Sequence, residues 1–335
     1  MLPKKFIPLV LLLLCMLSCK KQPFVPNSAN ALPGLWQKLG NFTGAGRVRA
    51  YGFTIGKKGY ILGGNAGAGF NLQLLNDLWE YDPATDKWTR KADYPGQAAE
   101  YVRGFTIGNK AYLGTGFGQR LSIPGNTLPQ NNDFWEYDPA LDKWTRKANF
   151  AGIPRENVIA FEINGVGYMG LGTDDTYTQA YKDFYRYDAV ADKWARAADY
   201  PGTGSFGVAA FASNGKGYAG LGGTLPSTIE KDFWQYDPTA DRWNKKASFI
   251  AKGRVFSGQF AISTDGYIGF GTTMTDNLDD WYKYDTLKDS WIKITNFPAE
   301  ARYDLVAFSI DGIGYVGTGN PGQLDDFWKY TPTKK

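Results

Sequence analysis

The chain has 335 residues, with 37 Lys and Arg against 33 Asp and Glu, no histidine and two cysteines. The formal charge of +4 lacks the basic excess of a nucleic-acid-binding domain. The absence of histidine excludes a Ser-His-Asp triad and zinc sites of the usual His/Cys kind.

In chain order, residues 1–19 carry Lys4 and Lys5, an apolar run from Ile7 to Leu17, and Ser18-Cys19, which reads as a secretory signal too short to span a membrane comfortably. Met16-Leu17-Ser18-Cys19 resembles a bacterial lipobox, in which Cys19 takes the lipid and becomes the first residue of the mature chain. The expected location is therefore the cell envelope, beyond the inner membrane and lipid-anchored, with the outer membrane as the destination. Residues 20–34 (KKQPFVPNSANALPG) lack periodicity and suit a flexible tether. With Cys15 lost alongside the signal and Cys19 lipidated, no disulfide is available. Stability then rests on packing, for which the chain has 11 Trp, 21 Tyr and 21 Phe.

From residue 35 onward one pattern occurs six times at a spacing of about 50 residues. Each copy has an apolar stretch with a central Phe, a Gly-Tyr-x-Gly-x-Gly run or a relative, an Asp-aromatic-aromatic-x-Tyr-Asp run and, finally, Asp-Lys-Trp or a relative. The first complete copy contains four strand-like segments, YGFTIG, GYILGG, DLWEYD and KWTRKA, separated by turn residues. The fold class expected is all-β, with four antiparallel strands per unit and the units stacked radially into a ring. The central Phe residues (Phe53, Phe105, Phe161, Phe211, Phe260 and Phe308) fall in the first, innermost strand, where they pack between units. Trp88, Trp144, Trp194, Trp243 and Trp291 close five copies, whereas the sixth ends at YTPTKK without a Trp. Trp36, in GLWQKLGNF, has the right flanks to supply the missing outer strand and close the ring.

With these repeats the chain resembles the kelch family of six-bladed β-propellers, over about nine tenths of its length. The family's Gly-Gly doublet is read at Gly63-Gly64 and Gly222-Gly223, with GTG, GLG or GFG elsewhere. The resemblance extends distantly to the kelch-type N-acetylneuraminate mutarotase and to the central domain of galactose oxidase. The copper site of the latter needs His ligands and a Tyr-Cys crosslink, so that chemistry is excluded here. No cofactor and no metal are expected; Asp174-Asp175 and Asp276 with Asp279-Asp280 leave calcium as the only alternative.

The loops differ between the two rims. On one they are tight, such as GNK, NGV and DPATDK; on the other they are long and unlike one another, as in NAGAGFNLQLLN, FGQRLSIPGNTLPQNN, TDDTYTQAYK and TTMTDNLD, where binding is expected. Six residues before each central Phe stand Arg47, Ala99, Arg155, Ser205, Arg254 and Arg302. Four arginines in one register suggest an anion-binding set at the channel mouth on the irregular rim, with Arg49, Tyr101, Arg103, Asn157 and Tyr303 beside them. The alternative is that they brace the scaffold. The Asp opening each third strand (Asp77, Asp133, Asp183, Asp232, Asp280 and Asp326) recurs too regularly for one active site and reads as structural.

Two functions fit these residues. One is a non-catalytic binding propeller whose long-loop rim takes an acidic peptide, a sugar acid or an envelope protein. The other is a sugar-acid mutarotase or epimerase resembling the sialic-acid enzyme, with an acid/base pair drawn from Glu100, Glu156 and Asp304.

Overall fold

The computed structural model describes residues 34–67, 72–118, 131–174, 176–204, 206–225 and 228–333. The expected signal, lipobox and tether up to residue 33, with Cys19, therefore lie outside the described residues, as do Ser205 and Asp175. Gly34 already belongs to a strand.

Among the described residues every regular element is a strand, and six four-stranded antiparallel sheets form the blades. Five are built from consecutive segments; the first comprises Tyr51–Ile55, Lys58–Asn65, Leu74–Asp82 and Lys87–Lys91. The sixth takes Val306–Ile310, Ile313–Gly317 and Phe327–Pro332 from the C-terminal end and Gly34–Lys38 as its outer strand. Trp36 faces Tyr330 in register, as Trp88 faces Tyr81 and Trp144 faces Tyr137. The closure expected from the unpaired Trp36 is thus present.

Packing between blades covers both faces of each sheet, so burial does not alternate along the third strands: Leu78 and Tyr81 are both fully buried. Each central Phe lies against the second strand of the following blade, where a glycine leaves the room in five blades and Ala111 takes its place in the second. A Cβ on Gly217 would come within 2.3 Å of the Phe161 ring, and one on Gly314 within 2.2 Å of Phe260.

A second tie between blades uses the Asp of the Asp-Lys-Trp turn. Asp142, Asp192, Asp241 and Asp289 each accept the hydroxyl of their own blade's third-strand Tyr and a backbone N–H from the preceding blade; Ala92 donates to Asp142 at 2.9 Å. All the closing Trp indoles but that of Trp88 add a donor to the preceding blade, with Trp144 reaching the Ala92 carbonyl at 2.9 Å and Trp36 reaching that of Thr295 at 3.2 Å.

The Gly-Gly doublet is a two-residue irregularity, inside the second strand of the first blade and directly after the second strand in the others. Its first residue has φ near +60° and is Gly63, Thr115, Leu171, Leu221, Phe270 or Thr318. Its second is always glycine, with φ from +87° to +102°, where a Cβ is strongly disfavoured. The doublet of the fourth blade is therefore Leu221-Gly222, one residue earlier than Gly222-Gly223.

Candidate functional site

The four register arginines do not converge on the channel. Arg47, Arg155 and Arg254 are fully buried and Arg302 is 1% exposed. Each bonds both carboxylate oxygens of its own blade's third-strand Asp: Arg47 with Asp77 at 2.6 and 2.8 Å, Arg254 with Asp280 at 2.7 and 3.2 Å, Arg302 with Asp326 at 2.5 and 2.9 Å, and Arg155 with Asp183 likewise. The same guanidinium donates to the carbonyl of the doublet's first residue, as Arg47 does to Gly63 at 2.9 Å, and lies over a Phe five residues earlier (Phe42, Phe150, Phe249 or Phe297). The anion-binding set expected from these four positions is corrected to a scaffold: a guanidinium buried against its own carboxylate, with four of the five donors used in Arg47, is closed to a ligand. Burial alone would raise the four carboxyls, but the hydrogen bonds and charge of the arginines hold Asp77, Asp183, Asp280 and Asp326 below the usual range.

The two blades without arginine carry a tyrosine in place of the Phe. In the second, Tyr94 takes the place of the Phe and Ala99 that of the Arg; in the fourth, Tyr200 and Ser205 do. Burial and then the charge of Asp133 or Asp232 raise the tyrosine pKa, and both hydroxyls, like Oδ1 of the two carboxylates, are buried without a hydrogen-bond partner.

Two residues further on, a ring surrounds the channel mouth. Arg49, Tyr101, Asn157, Gly207, Phe256 and Asp304 occupy the equivalent position of successive blades, all with φ between +55° and +59°. Backbone hydrogen bonds link neighbours around it: Tyr101 N–H to the Arg49 carbonyl at 3.0 Å, Arg49 to Asp304 at 2.9 Å, Asp304 to Phe256 at 3.1 Å and Phe256 to Gly207 at 3.2 Å. Six equivalent backbones thus carry six different residues, five of them with side chains.

On one side of the ring Arg49 is shared between two carboxylates, donating to Asp304 at 3.1 Å and to Glu100 at 2.9 Å, while the Tyr101 hydroxyl approaches Asp304 at 3.4 Å. Burial raises the Asp304 and Glu100 carboxyls despite the opposing charge of Arg49. Arg103, on the innermost strand of the second blade, has no carboxylate within salt-bridge distance among the described residues. It donates to the Val102 carbonyl at 2.9 Å, lies over the Tyr51 and Tyr101 rings, and has its pKa lowered by burial.

Beneath the ring is a cavity of about 130 Å³ whose lining includes Arg49, Arg103, Asn157, Ser257, Gln259 and Asp304. Ser257 Oγ and Gln259 Oε1 are buried with no protein partner. Sequence reasoning passed over both. Gln259 stands at a channel-facing position that is Gly52, Gly104, Ala160, Ala210 or Ala307 in the other blades, and that contrast was the available signal. Outside the ring a second cavity, of about 470 Å³, is lined by Arg49, Tyr101, Tyr177, Phe206, Phe256 and Met274, with Leu225, Thr228 and Ile229.

Of the expected site residues, Arg49, Tyr101, Arg103, Asn157 and Asp304 meet here. Glu100 stands behind Arg49, outside both cavity linings. Glu156 pairs by backbone with Thr173 and lies next to Tyr177, and Tyr303 pairs with Asn320, so neither lines the cavities. The acidic loop positions are used internally: Asp174 accepts the N–H groups of Thr178 and Gln179 at 2.8 and 2.9 Å, and Asp280 holds Arg254. No group of three or more potential metal ligands stands together among the described residues. A larger cleft, of about 810 Å³, lies between the last two blades, but its Lys283 and Asp265 pair with each other at 2.8 Å.

Six radially arranged four-stranded blades, the repeated doublet glycine and N-terminal closure make this chain a kelch-repeat six-bladed β-propeller. The Kelch motif profile matches residues 54–93. Over 139 residues the chain is 30% identical to the N-acetylneuraminate epimerase of Yersinia enterocolitica, a match spanning 32% of this chain and only 36% of that protein. The solved structure of YjhT superposes with a TM-score of 0.71 at 16% identity, over 87% of this chain and 95% of that one, a likeness of fold.

Proposed function

We propose that the propeller binds an acidic sugar at the channel mouth and interconverts its anomers, as a mutarotase or epimerase of sialic-acid-like substrates. The observation that carries this reading is the pairing, in one cavity, of a guanidinium without a carboxylate partner, Arg103, with a buried carboxyl of raised pKa, Asp304. The partial match to the Yersinia epimerase supports the same substrate class.

Arg103 takes the substrate carboxylate, since it lines the cavity with no carboxylate within salt-bridge distance among the described residues. Asp304 moves the protons. Ring opening breaks the bond between anomeric carbon and ring oxygen: the anomeric hydroxyl gives up a proton as its oxygen becomes a carbonyl, and the ring oxygen gains one. Closure on the other face reverses both transfers, so no proton, electron or co-reactant is consumed. Arg49 holds Asp304 in place, with Glu100 as its second anchor.

Anomer exchange of N-acetylneuraminic acid, followed by NMR with the purified protein, tests this. Asp304→Asn is expected to slow the catalysed exchange by at least about 100-fold while binding stays within a few-fold. Arg103→Met is expected to lose at least about tenfold in affinity. Binding without any acceleration over buffer would return the site to the non-catalytic reading.

The proposed location is the cell envelope, with Cys19 as the lipid-bearing residue. Labelling cells with a clickable fatty acid is expected to mark the wild type and not Cys19→Ser; equal label on both removes the anchor from the proposal.

A further inference from the structure

The two cavities at the mouth share two ring residues, Arg49 and Phe256, and they differ in chemistry. The inner one is polar: Arg103 lines it, and Ser257 Oγ and Gln259 Oε1 are buried there with no protein partner. The outer one is walled by an aromatic series: Tyr101 stacks on Phe256 at 5.9 Å between centroids, Phe256 meets Phe206 at 6.0 Å, and Phe206 meets Tyr177 edge-on at 5.7 Å. Met274 is 64% exposed and Tyr177 37%, both on residues with positive φ in the long loops of the fifth and third blades. Two large apolar side chains left in water at the lip of a polar cavity form a surface that a bound molecule would cover.

Neither cavity accounts for a ligand alone. About 130 Å³ is below the roughly 300 Å³ at which ordinary small-molecule pockets begin, whereas the adjoining 470 Å³ offers little but Arg49 to fix a polar molecule. We infer that one ligand spans both: its acidic, hydroxylated end enters past the ring, and an apolar arm longer than an acetyl group, acyl or aryl, lies outside it on Phe206, Phe256 and Met274. The substrate class is thus an acylated or aryl-substituted sugar acid. This rests on the sugar-acid reading of the site and narrows it. Ser257 and Gln259 supply the neutral hydrogen bonds at the deep end, the kind of buried contact that rejects analogues lacking a hydroxyl.

The test is calorimetric titration of the full-length protein with neuraminic acid carrying N-acetyl, N-butanoyl and N-hexanoyl groups. Wild type is expected to bind each longer chain more tightly, by up to about fourfold per added methylene. Phe206→Ala and Met274→Ala are expected to bind the N-acetyl compound within about threefold of wild type and to lose most of that gain; circular dichroism confirms that each variant is folded. Equal affinity along the series in wild type, or an undiminished gain in both variants, overturns the apolar arm and leaves the sugar-acid reading standing. Failure of all three acids to bind wild type overturns both.

Discussion

Deleting residues 34–38 is expected to unfold the propeller at a temperature well below that of the intact chain, because it strips the outer strand from the last blade and exposes Tyr330, Phe297 and Trp281 along that edge. Trp36 is within 5.0 to 5.5 Å of all three rings, centroid to centroid, and its indole N–H bonds the Thr295 carbonyl of the preceding blade. Trp36→Ala alone is expected to cost about 3 kcal/mol, and the deletion more, since five backbone pairings go with it. Differential scanning calorimetry reads the shift; a deletion variant that melts with the wild type would mean that the ring does not depend on its closure.

Replacing one scaffold arginine should be nearly as damaging. Arg254→Met leaves the Asp280 carboxylate, 19% exposed, without its bidentate partner, and breaking such a pair costs about 3–5 kcal/mol. The loss should depend on pH. Asp77, Asp183, Asp280 and Asp326 have folded pKa values below the unfolded one, so their pairs stabilise fully above the unfolded value of about 3.9 and are lost as pH falls through the depressed folded values. Wild type is expected to lose stability steeply below about pH 4, and Arg254→Met less so, having one such pair fewer. The chain's own second and fourth blades suggest a rescue: Arg47→Ala with Phe42→Tyr copies Tyr94-Ala99 and should recover at least about 1 kcal/mol of the loss in Arg47→Ala. Chemical denaturation of the four proteins of that cycle measures the coupling, and strict additivity would show that tyrosine does not stand in for arginine.

The ring, its blade order and its closure were legible because each rests on repetition: five Trp at one register made the sixth conspicuous. The candidate site was harder to read for the converse reason. Arg47, Arg155, Arg254 and Arg302 stood out by recurring, yet recurrence belongs to the scaffold, and the direction of their side chains depends on an Asp 24 to 30 residues away. A compensating signal was present in the change from Phe to Tyr wherever the arginine is missing. Arg49, Tyr101, Asn157 and Asp304 were named as neighbours, but that they form one ring with Gly207 and Phe256 follows only from their shared backbone conformation. Ser257 and Gln259 carry no motif and become visible only when their polar atoms are found buried and unmatched.

Because the ring at the mouth is held by main-chain hydrogen bonds and a common backbone conformation, it is indifferent to which side chain each position carries, within the limits that φ near +57° sets for β-branched residues. Apart from Gly207, where a Cβ would come within 2.8 Å of Phe256 N, and the paired Arg49 and Asp304, these slots can therefore mutate one at a time with little effect on the blades beneath them. Selection acting on the ligand and selection acting on folding meet at different atoms of the same residues. A propeller of this kind can change what it recognises while its thermal stability stays constant, and relatives with unlike mouths and superimposable blades are the expected product of that freedom.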